Sequence, residues 1–378
     1  MASASPDPAL NRGASRVNRI SIIVPMLNEA EHVEQFVADV AAQDFDGEIE
    51  LLVADGGSED SSVERLRAAA ARTEVSLTIL ENPARWVSQG LNACVRHATG
   101  DLLVRLDCHS RYPVDYLRRC AEVAEAEPDA AAVGGIVIPE GRTPTERAVA
   151  CAMDGPFGGI GWMRDTDRPV RRDSDVITYG AFRPETFRIV GYFDESLRRN
   201  QDDEFTNRIR LAGGRVVLDS TIKVLYTPRG SFRGVARQYF ESGRWKVDVM
   251  RKHRRVVSAR SLAPPIFVGS LIVLIPLAFV SPAARLGLLA ESAAYGGAAV
   301  FFGTRSLRRR HEPWRLLPLV TGVFPTFHVS YGVGLIDGLM RAANLSRGRL
   351  PNMARSSSVQ ACSVREVHSQ GCHSLQAP

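Results

Sequence analysis

The six cysteines of this chain (Cys94, Cys108, Cys120, Cys151, Cys362 and Cys372) form no CxxC pair, so the spacing of a zinc scaffold or a dithiol redox motif is missing. A reduced compartment fits such usage best. No GxxxxGK[ST] occurs, which removes a phosphate-binding loop of that type. The stretch "VPMLNEAEH" after the first apolar run holds no glycine, which argues against a nicotinamide or flavin dinucleotide site. The first eighteen residues contain no apolar run long enough for a signal peptide, so the bulk of the chain is expected in the cytosol. Internal repeats and low-complexity arrays are missing as well.

What is present begins with length. A chain of 378 residues exceeds the usual single domain and implies a catalytic-sized unit plus something more. The net charge of +5 is modest but unevenly placed. Basic clusters at Arg251, Lys252, Arg254 and Arg255, and at Arg305, Arg308, Arg309 and Arg310, each adjoin a strongly apolar segment, the pattern of a membrane's cytosolic face. A nucleic-acid binder would instead interleave aromatics with arginine on a soluble face, so no nucleic-acid partner is expected.

From Arg19 to about Gly135, the runs "ISIIVP", "IELLVAD", "SLTIL", "DLLVRLD" and "AAVGGIVI" read as buried strands. Helical patterns over 30–42, 59–72, 85–98 and 113–126 alternate with them. That order predicts an α/β domain with a mostly parallel central sheet covered on both faces. Residues 140–260 are less regular: "GPFGGIGWMRD" reads as a loop, "DDEFTNRIRLAGG" as a helix stopped by Gly213, and 232–252 as a basic, aromatic-bearing helix.

Beyond Leu262 lie about three hydrophobic segments. "LAPPIFVGSLIVLIPLAFV" carries no charge and is long enough to cross a hydrocarbon core of ~30 Å. A second segment, 284–303, is weaker because it contains Arg285 and Glu291. The third, "LLPLVTGVFPTFHVSYGVGLIDGLM", is interrupted by Pro318 and Pro325 and contains His328 and Asp337. The first two form a hairpin if both basic clusters are cytosolic. A third full crossing would place Arg341, Arg347, Arg349 and Arg355 outside, so that segment is expected to be re-entrant, or is no span at all. The expected organisation is a disordered N-terminus (1–18), a catalytic domain (19–255), a transmembrane region (262–340) and a polar tail (341–378).

In a parallel α/β sheet, ligands bind beyond the carboxyl ends of the strands, which gives weight to acidic residues there. Asp55 ends the second strand before Gly56 and Gly57; it is either a ligand-binding carboxylate or simply the start of a turn. Asp107 and His109 leave the fourth strand as alternate residues, so both can reach one side, and both are competent ligands for Mg²⁺ or Mn²⁺. A hydrogen-bonded structural role for His109 is the plainer alternative. Asp202 and Asp203 open a helix, where carboxylates either cap the helix or serve as a general base.

"SIIVPMLNEAEHVEQFV", "VADGGSEDSS", "NACVRHATGDLLVRLDCHSRYP", "GAFRPETFRIVGYFDESL" and "QDDEFTNRIRLAGGRV", in that order, resemble the inverting glycosyltransferases of family 2, over about residues 19–250. "RLDCHSRYP" followed by "FHVSYGVGLIDGL" looks more narrowly like the succinoglycan-type membrane glucosyltransferases of bacterial exopolysaccharide synthesis. The resemblance implies a GT-A fold with C-terminal transmembrane helices. It implies that Pro25, Asn28, Glu29 and Asp55 hold the base and ribose of a nucleoside diphosphate sugar, UDP-glucose being favoured. It places the DxD motif on Asp107 and His109, with imidazole replacing the last carboxylate, and a divalent metal there. The base falls on Asp202, with Asp203 as fallback, and Arg85 or Arg244 assists the leaving group. Arg244 and Trp245 are similar to the RW end of the QxxRW motif of processive synthases, but Gln238 lies too far upstream to complete it. The implied acceptor is a hydroxyl of a lipid-linked saccharide at the inner membrane, with the catalytic domain cytoplasmic. Competing readings are a polyprenyl-phosphate sugar synthase and a catalytically inactive membrane scaffold.

Overall fold

The computed structural model describes residues 16–158, 169–253 and 259–347. The N-terminal fifteen residues, most of the glycine-rich loop, residues 254–258 with Arg254 and Arg255 of the first basic cluster, and the tail beyond 347 lie outside them.

The first unit alternates strand and helix: β1 (Arg19–Met26), α1 (Val33–Ala41), β2 (Glu48–Asp55), α2 (Ser62–Thr73), β3 (Ser76–Glu81), α3 (Val87–His97), β4 (Leu102–Arg105), β5 (Ser110–Arg111), α4 (Tyr116–Ala126) and β6 (Ala130–Pro139). The continuous apolar runs of β1, β2 and β4 are buried on both faces, as parallel strands covered by helices must be. Then come α5 (Pro144–Met153), β7 (Arg171–Asp173), β8 (Ala181–Phe182), α6 (Pro184–Val190), α7 (Gln201–Leu211), β9 (Arg215–Tyr226) and α8 (Phe232–His253). The sheet order is β3-β2-β1-β4-β8-β6-β9-β5, with β7 also on β9. Strands β1, β2, β3, β4, β6 and β9 run one way, and only the two- and three-residue strands β5, β7 and β8 oppose them. Those short strands were not legible as alternating patterns. The chain order reverses about β1, between β2 and β4, and that switch point opens the crevice beyond the strand ends.

Two cores sandwich the sheet. One joins Phe36, Val37, Leu66, Tyr116 and Leu117 to one face, and the other joins Leu91, Phe182, Phe187, Phe193 and Phe205 to the opposite face. Helix α7 ends at Leu211, and Gly213, at φ +83°, makes the left-handed turn expected of it.

The C-terminal segments differ in detail from the expectation. The segment read as the strongest span forms α9 (Ala263–Leu277), whose fifteen residues rise only about 22 Å as a helix. The segment read as weaker forms α10 (Pro282–Arg309), which is long and apolar enough to cross a membrane. The third forms an unbroken helix α11 (Leu317–Arg347), with Pro325 inside it. It passes the same length and composition test but is far more buried. The reason is α8. Tyr239 stacks on Phe327 with ring centroids 4.1 Å apart, and the backbones of α8 and α11 touch at glycines. A Cβ on Gly334 would lie 2.0 Å from the Phe240 carbonyl oxygen, and one on Gly243 would lie 2.2 Å from that of Tyr331. Small residues that allow backbones this close are the usual device for packing apolar helices. A third core, including Val149, Met153, Val235, Leu307, Val323 and Phe324, ties α5 and α8 to α10 and α11.

Candidate active site

The loops after β1 and β2 are laced together. Asp55 accepts hydrogen bonds from the Gly57 N–H (3.1 Å), the Ser58 N–H (3.2 Å) and the Ser58 hydroxyl (2.6 Å). The backbone of Asn28, at φ +54°, donates to Ser58 Oγ, and its side-chain oxygen accepts from the Glu59 N–H. Glu29 N–H donates to Ser62 Oγ at 2.7 Å. Pro25 pairs with Ala54 in the β1/β2 register, so it sits at the same rim. Arg85, at φ +63°, closes the rim from the β3–α3 loop and pairs with Glu59 at 3.2 Å. Asp55 does serve a turn, then, and the turn it holds brings the β1 and β2 loops together as one wall.

Asp107 lies two residues beyond β4, and its backbone is pinned by the buried Tyr112, whose hydroxyl contacts both its N–H (2.8 Å) and its carbonyl (3.1 Å). The Asp107 carboxylate meets Nη2 of Arg105 at 3.2 and 3.3 Å. Nη1 of the same guanidinium is paired with Asp202 Oδ1. Arg105 thus joins two acidic residues 95 positions apart in sequence. Its side chain is only 6% exposed, and its Nε–H has no hydrogen-bond partner among the described residues. Both carboxylates hold the guanidinium charged, raising its pKa against the opposing effect of burial. Burial pushes the Asp202 carboxyl above its ordinary value; Arg105 pulls it back, and Asp107 and Asp203 add to the push.

Neither aspartate at the start of α7 caps the helix through an observed side-chain bond. Asp202 faces Arg105, whereas Asp203 pairs with Lys246 of α8 at 2.6 Å. Consecutive helical residues point about 100° apart, which sends one carboxylate into the crevice and the other to α8. Glu204 is fully buried among Arg208, Lys252 and His253, a structural carboxylate.

His109 Nδ1 lies 3.0 Å from Glu29 Oε1. That hydrogen bond, before the countering effect of burial and the added pull of Asp107, raises the imidazole pKa. A carboxylate accepting from Nδ1–H leaves Nε2 as the lone-pair donor, the usual outer support of a metal-binding histidine. Among the described residues no group of three His, Cys, Asp or Glu side chains is gathered to hold a metal. Asp107 and His109 therefore fit a divalent ion only as a partial set, completed by oxygens of a bound diphosphate, as is usual for Mg²⁺.

Arg244 is committed elsewhere. Its Nε lies 3.0 Å from Asp337 of α11, an ion pair without hydrogen-bond alignment. Trp245 flanks Arg198, whose guanidinium carbon is 6.0 Å from its ring centroid and 4.1 Å from that of Trp86. Arg105, Tyr112, Lys246 and Arg198 were not singled out from sequence. For Arg105 a signal existed, since a lone arginine in the apolar run "DLLVRLD" must find buried counter-charges.

The Glycosyl transferase family 2 profile matches residues 21–178. Over 268 residues the chain is 31% identical to the succinoglycan biosynthesis protein ExoA of Rhizobium meliloti (strain 1021), covering 69% of this chain and 80% of that protein. It is 24% identical over 245 residues to a dolichyl N-acetyl-alpha-D-glucosaminyl phosphate 3-beta-D-2,3-diacetamido-2,3-dideoxy-beta-D-glucuronosyltransferase of Methanococcus voltae, covering 62% of this chain and 75% of that one. In three dimensions it resembles a mannosyltransferase from Pyrobaculum calidifontis solved with GDP-Man and Mn²⁺, with a TM-score of 0.62 and 20% identity over 89% of this chain and 90% of that one, a likeness of fold. With a GT-A sheet, five collinear motifs and a relative matched over most of both lengths, the chain belongs to glycosyltransferase family 2, among the enzymes of polysaccharide and lipid-linked sugar synthesis.

Proposed function

We propose that the protein transfers a hexose, glucose being favoured, with inversion from a nucleoside diphosphate sugar such as UDP-glucose to a hydroxyl of a lipid-linked saccharide. The observation that carries this reading is the Arg105 guanidinium held between Asp107 and Asp202, because it sets a candidate base beside the motif expected to face the diphosphate. Pro25, Asn28, Glu29, Asp55 and Arg85 form the wall for base and ribose. The acceptor oxygen attacks the anomeric carbon as Asp202 takes its proton; the bond from that carbon to the diphosphate oxygen breaks, and its electron pair leaves with the nucleoside diphosphate. A single base on one face suffices for inversion. When bound, a divalent ion held by Asp107 and His109 together with donor oxygens would neutralise charge on the diphosphate. Asp203 is the weaker candidate for the base because its carboxylate is turned to Lys246 of α8 rather than toward the Arg105–Asp107 pair.

Membrane attachment at the inner membrane, catalytic domain cytoplasmic, is part of the same reading. The basic end of α10 contacts the catalytic unit: Arg310 donates to the Pro139 carbonyl at 2.6 Å and faces Asp154 at 3.8 Å. On this reading α9, short for a full crossing, is accommodated by local thinning of the bilayer, and both ends of an α9–α10 hairpin stay on the catalytic side, consistent with the positive-inside rule. Helix α11, packed along α8, keeps Arg341 and Arg347 on that side without a third crossing. The test mixes membranes containing the full chain with labelled nucleotide sugars and a lipid extract. Label from UDP-glucose is expected to become organic-extractable, and EDTA to abolish transfer. Transfer to a bare polyprenyl phosphate that survives Asp202→Asn would favour a polyprenyl-phosphate sugar synthase instead, since an anionic acceptor needs no base.

A further inference from the structure

A second cleft, of about 570 Å³, opens between the 194–197 loop, α8 and the C-terminal part of α11. Its cations are Arg244, Arg251, Lys252 and Arg341. Two of them brace its walls: Arg244 holds Asp337, and Lys252 holds Asp194 at 2.6 Å and Glu204 at 2.7 Å. The other two are held loosely or not at all. Arg251 makes a distant ion pair, at 4.0 Å, with Asp248, which also lines the cleft, and Arg341 has no carboxylate within 4.0 Å among the described residues. Two guanidiniums with donors to spare, from different helices and converging on one cleft, suit a phosphorylated group, which arginine grips through paired N–H donors.

The surroundings narrow the ligand further. Immediately before Arg341, Leu339 and Met340 are half exposed, so an apolar strip adjoins the charge. That is the junction an amphiphile needs, head in the cleft and chain along α11. On the other side the cleft is lined by Trp245, beside which Arg198 and Trp86 lie, and Arg198 stands four residues before Asp202. Indole faces offer the apolar surface on which sugar rings stack.

We propose that this cleft seats the diphosphate of the lipid-linked saccharide acceptor, with Arg251 and Arg341 gripping the phosphates and Trp245 carrying the proximal sugar toward Asp202. The inference rests on the proposed transfer to a lipid-linked saccharide and adds where that acceptor docks. Asp202 does not line this cleft, so phosphates seated here leave a sugar hydroxyl, and not the phosphate, as the nucleophile.

The test uses the full chain in nanodiscs, with Arg251→Ala, Arg341→Ala and the double variant, and a short-chain prenyl-diphosphate saccharide as acceptor. Each guanidinium–phosphate contact removed should raise the acceptor KM about 10-fold or more, the size of a lost charge-assisted hydrogen bond. The KM for nucleotide sugar and the kcat at saturating acceptor should stay within about twofold. Inorganic pyrophosphate should compete with the acceptor in the wild type and compete more weakly in the double variant. An acceptor KM unchanged in the double variant overturns the proposal. So does an equal loss with a saccharide lacking the lipid diphosphate, or a loss confined to binding of phosphatidylglycerol vesicles, which would make the cleft a bulk-lipid contact. If the wild type transfers no sugar from any nucleotide donor, the functional reading itself has failed, and that result is distinct from all of these. Both arginines are exposed and Arg251 has only the distant Asp248 as a partner, so unchanged thermal midpoints are expected and exclude misfolding.

Discussion

Replacing Arg105 with Met removes the cation buried between Asp107 and Asp202. At 3.2 Å and an effective dielectric of about 20, one such pair is worth about 5 kcal/mol of Coulomb attraction before desolvation is charged against it. Removing one member of a buried pair typically costs about 3–5 kcal/mol, because the remaining charge is left uncompensated. Here two carboxylates are left facing each other. Arg105→Met should therefore lower stability by about 3 kcal/mol or more, read as a shifted midpoint in denaturant titration of the detergent-solubilised chain. It should also move the acid limb of kcat/KM to higher pH. The sign follows from the wild type: burial already raises the Asp202 carboxyl, and Arg105 is the group that lowers it, so without Arg105 the base stays protonated further up the pH scale. Arg105→Met combined with Asp202→Asn should recover part of the lost stability, since cation and counter-charge go together. Lysine at 105 keeps the charge but cannot offer separate nitrogens to both carboxylates, and should rescue stability incompletely. A variant with both midpoint and acid limb unchanged would refute the claim that this ion triad organises the site.

Three further outcomes test other parts of the molecule. Asp202→Asn should lower kcat by ~10²- to 10⁴-fold, with the KM for nucleotide sugar little changed, whereas Asp203→Asn should act mainly through its lost pair with Lys246. A nearly active Asp202→Asn enzyme would exclude Asp202 as the base. Gly334→Ala places a methyl 2.0 Å from a backbone oxygen, so it should cost about 1–3 kcal/mol by overpacking and increase proteolysis between α10 and α11; an unchanged midpoint would mean that α8 and α11 are not in this contact. Asp194 is held down to about 2 by its hydrogen bonds to Lys252 and Ser196, which outweigh the opposing effect of burial. Its folded pKa lies below the unfolded value of about 3.9, so its contribution is fully present above pH 4 and lost as pH falls toward about 2; Lys252→Met should flatten that acid limb of stability.

The parallel sheet was legible because β1, β2 and β4 are continuous apolar runs that end on turn residues, and the helices between them carry one apolar face. The rim followed from the same rule. A strand that ends on Asp55, and another that ends two residues before Asp107, can only present those carboxylates at the sheet's carboxyl edge. The short strands β5, β7 and β8 could not be found this way, since they exist only by pairing with β9, β4 and β6.

The amino-acid sequence alone therefore determined the α/β fold, the family motifs and the identity of the acidic residues, because period, strand length and collinear spacing are local properties. Tertiary structure decided what depends on direction and distance. It turned Asp202 toward Arg105 and Asp203 toward Lys246, set Glu29 behind His109, committed Arg244 to Asp337 and laid α11 along α8. Each of these joins residues remote in the chain or separates neighbours by a helical turn angle, and neither is fixed until the elements pack.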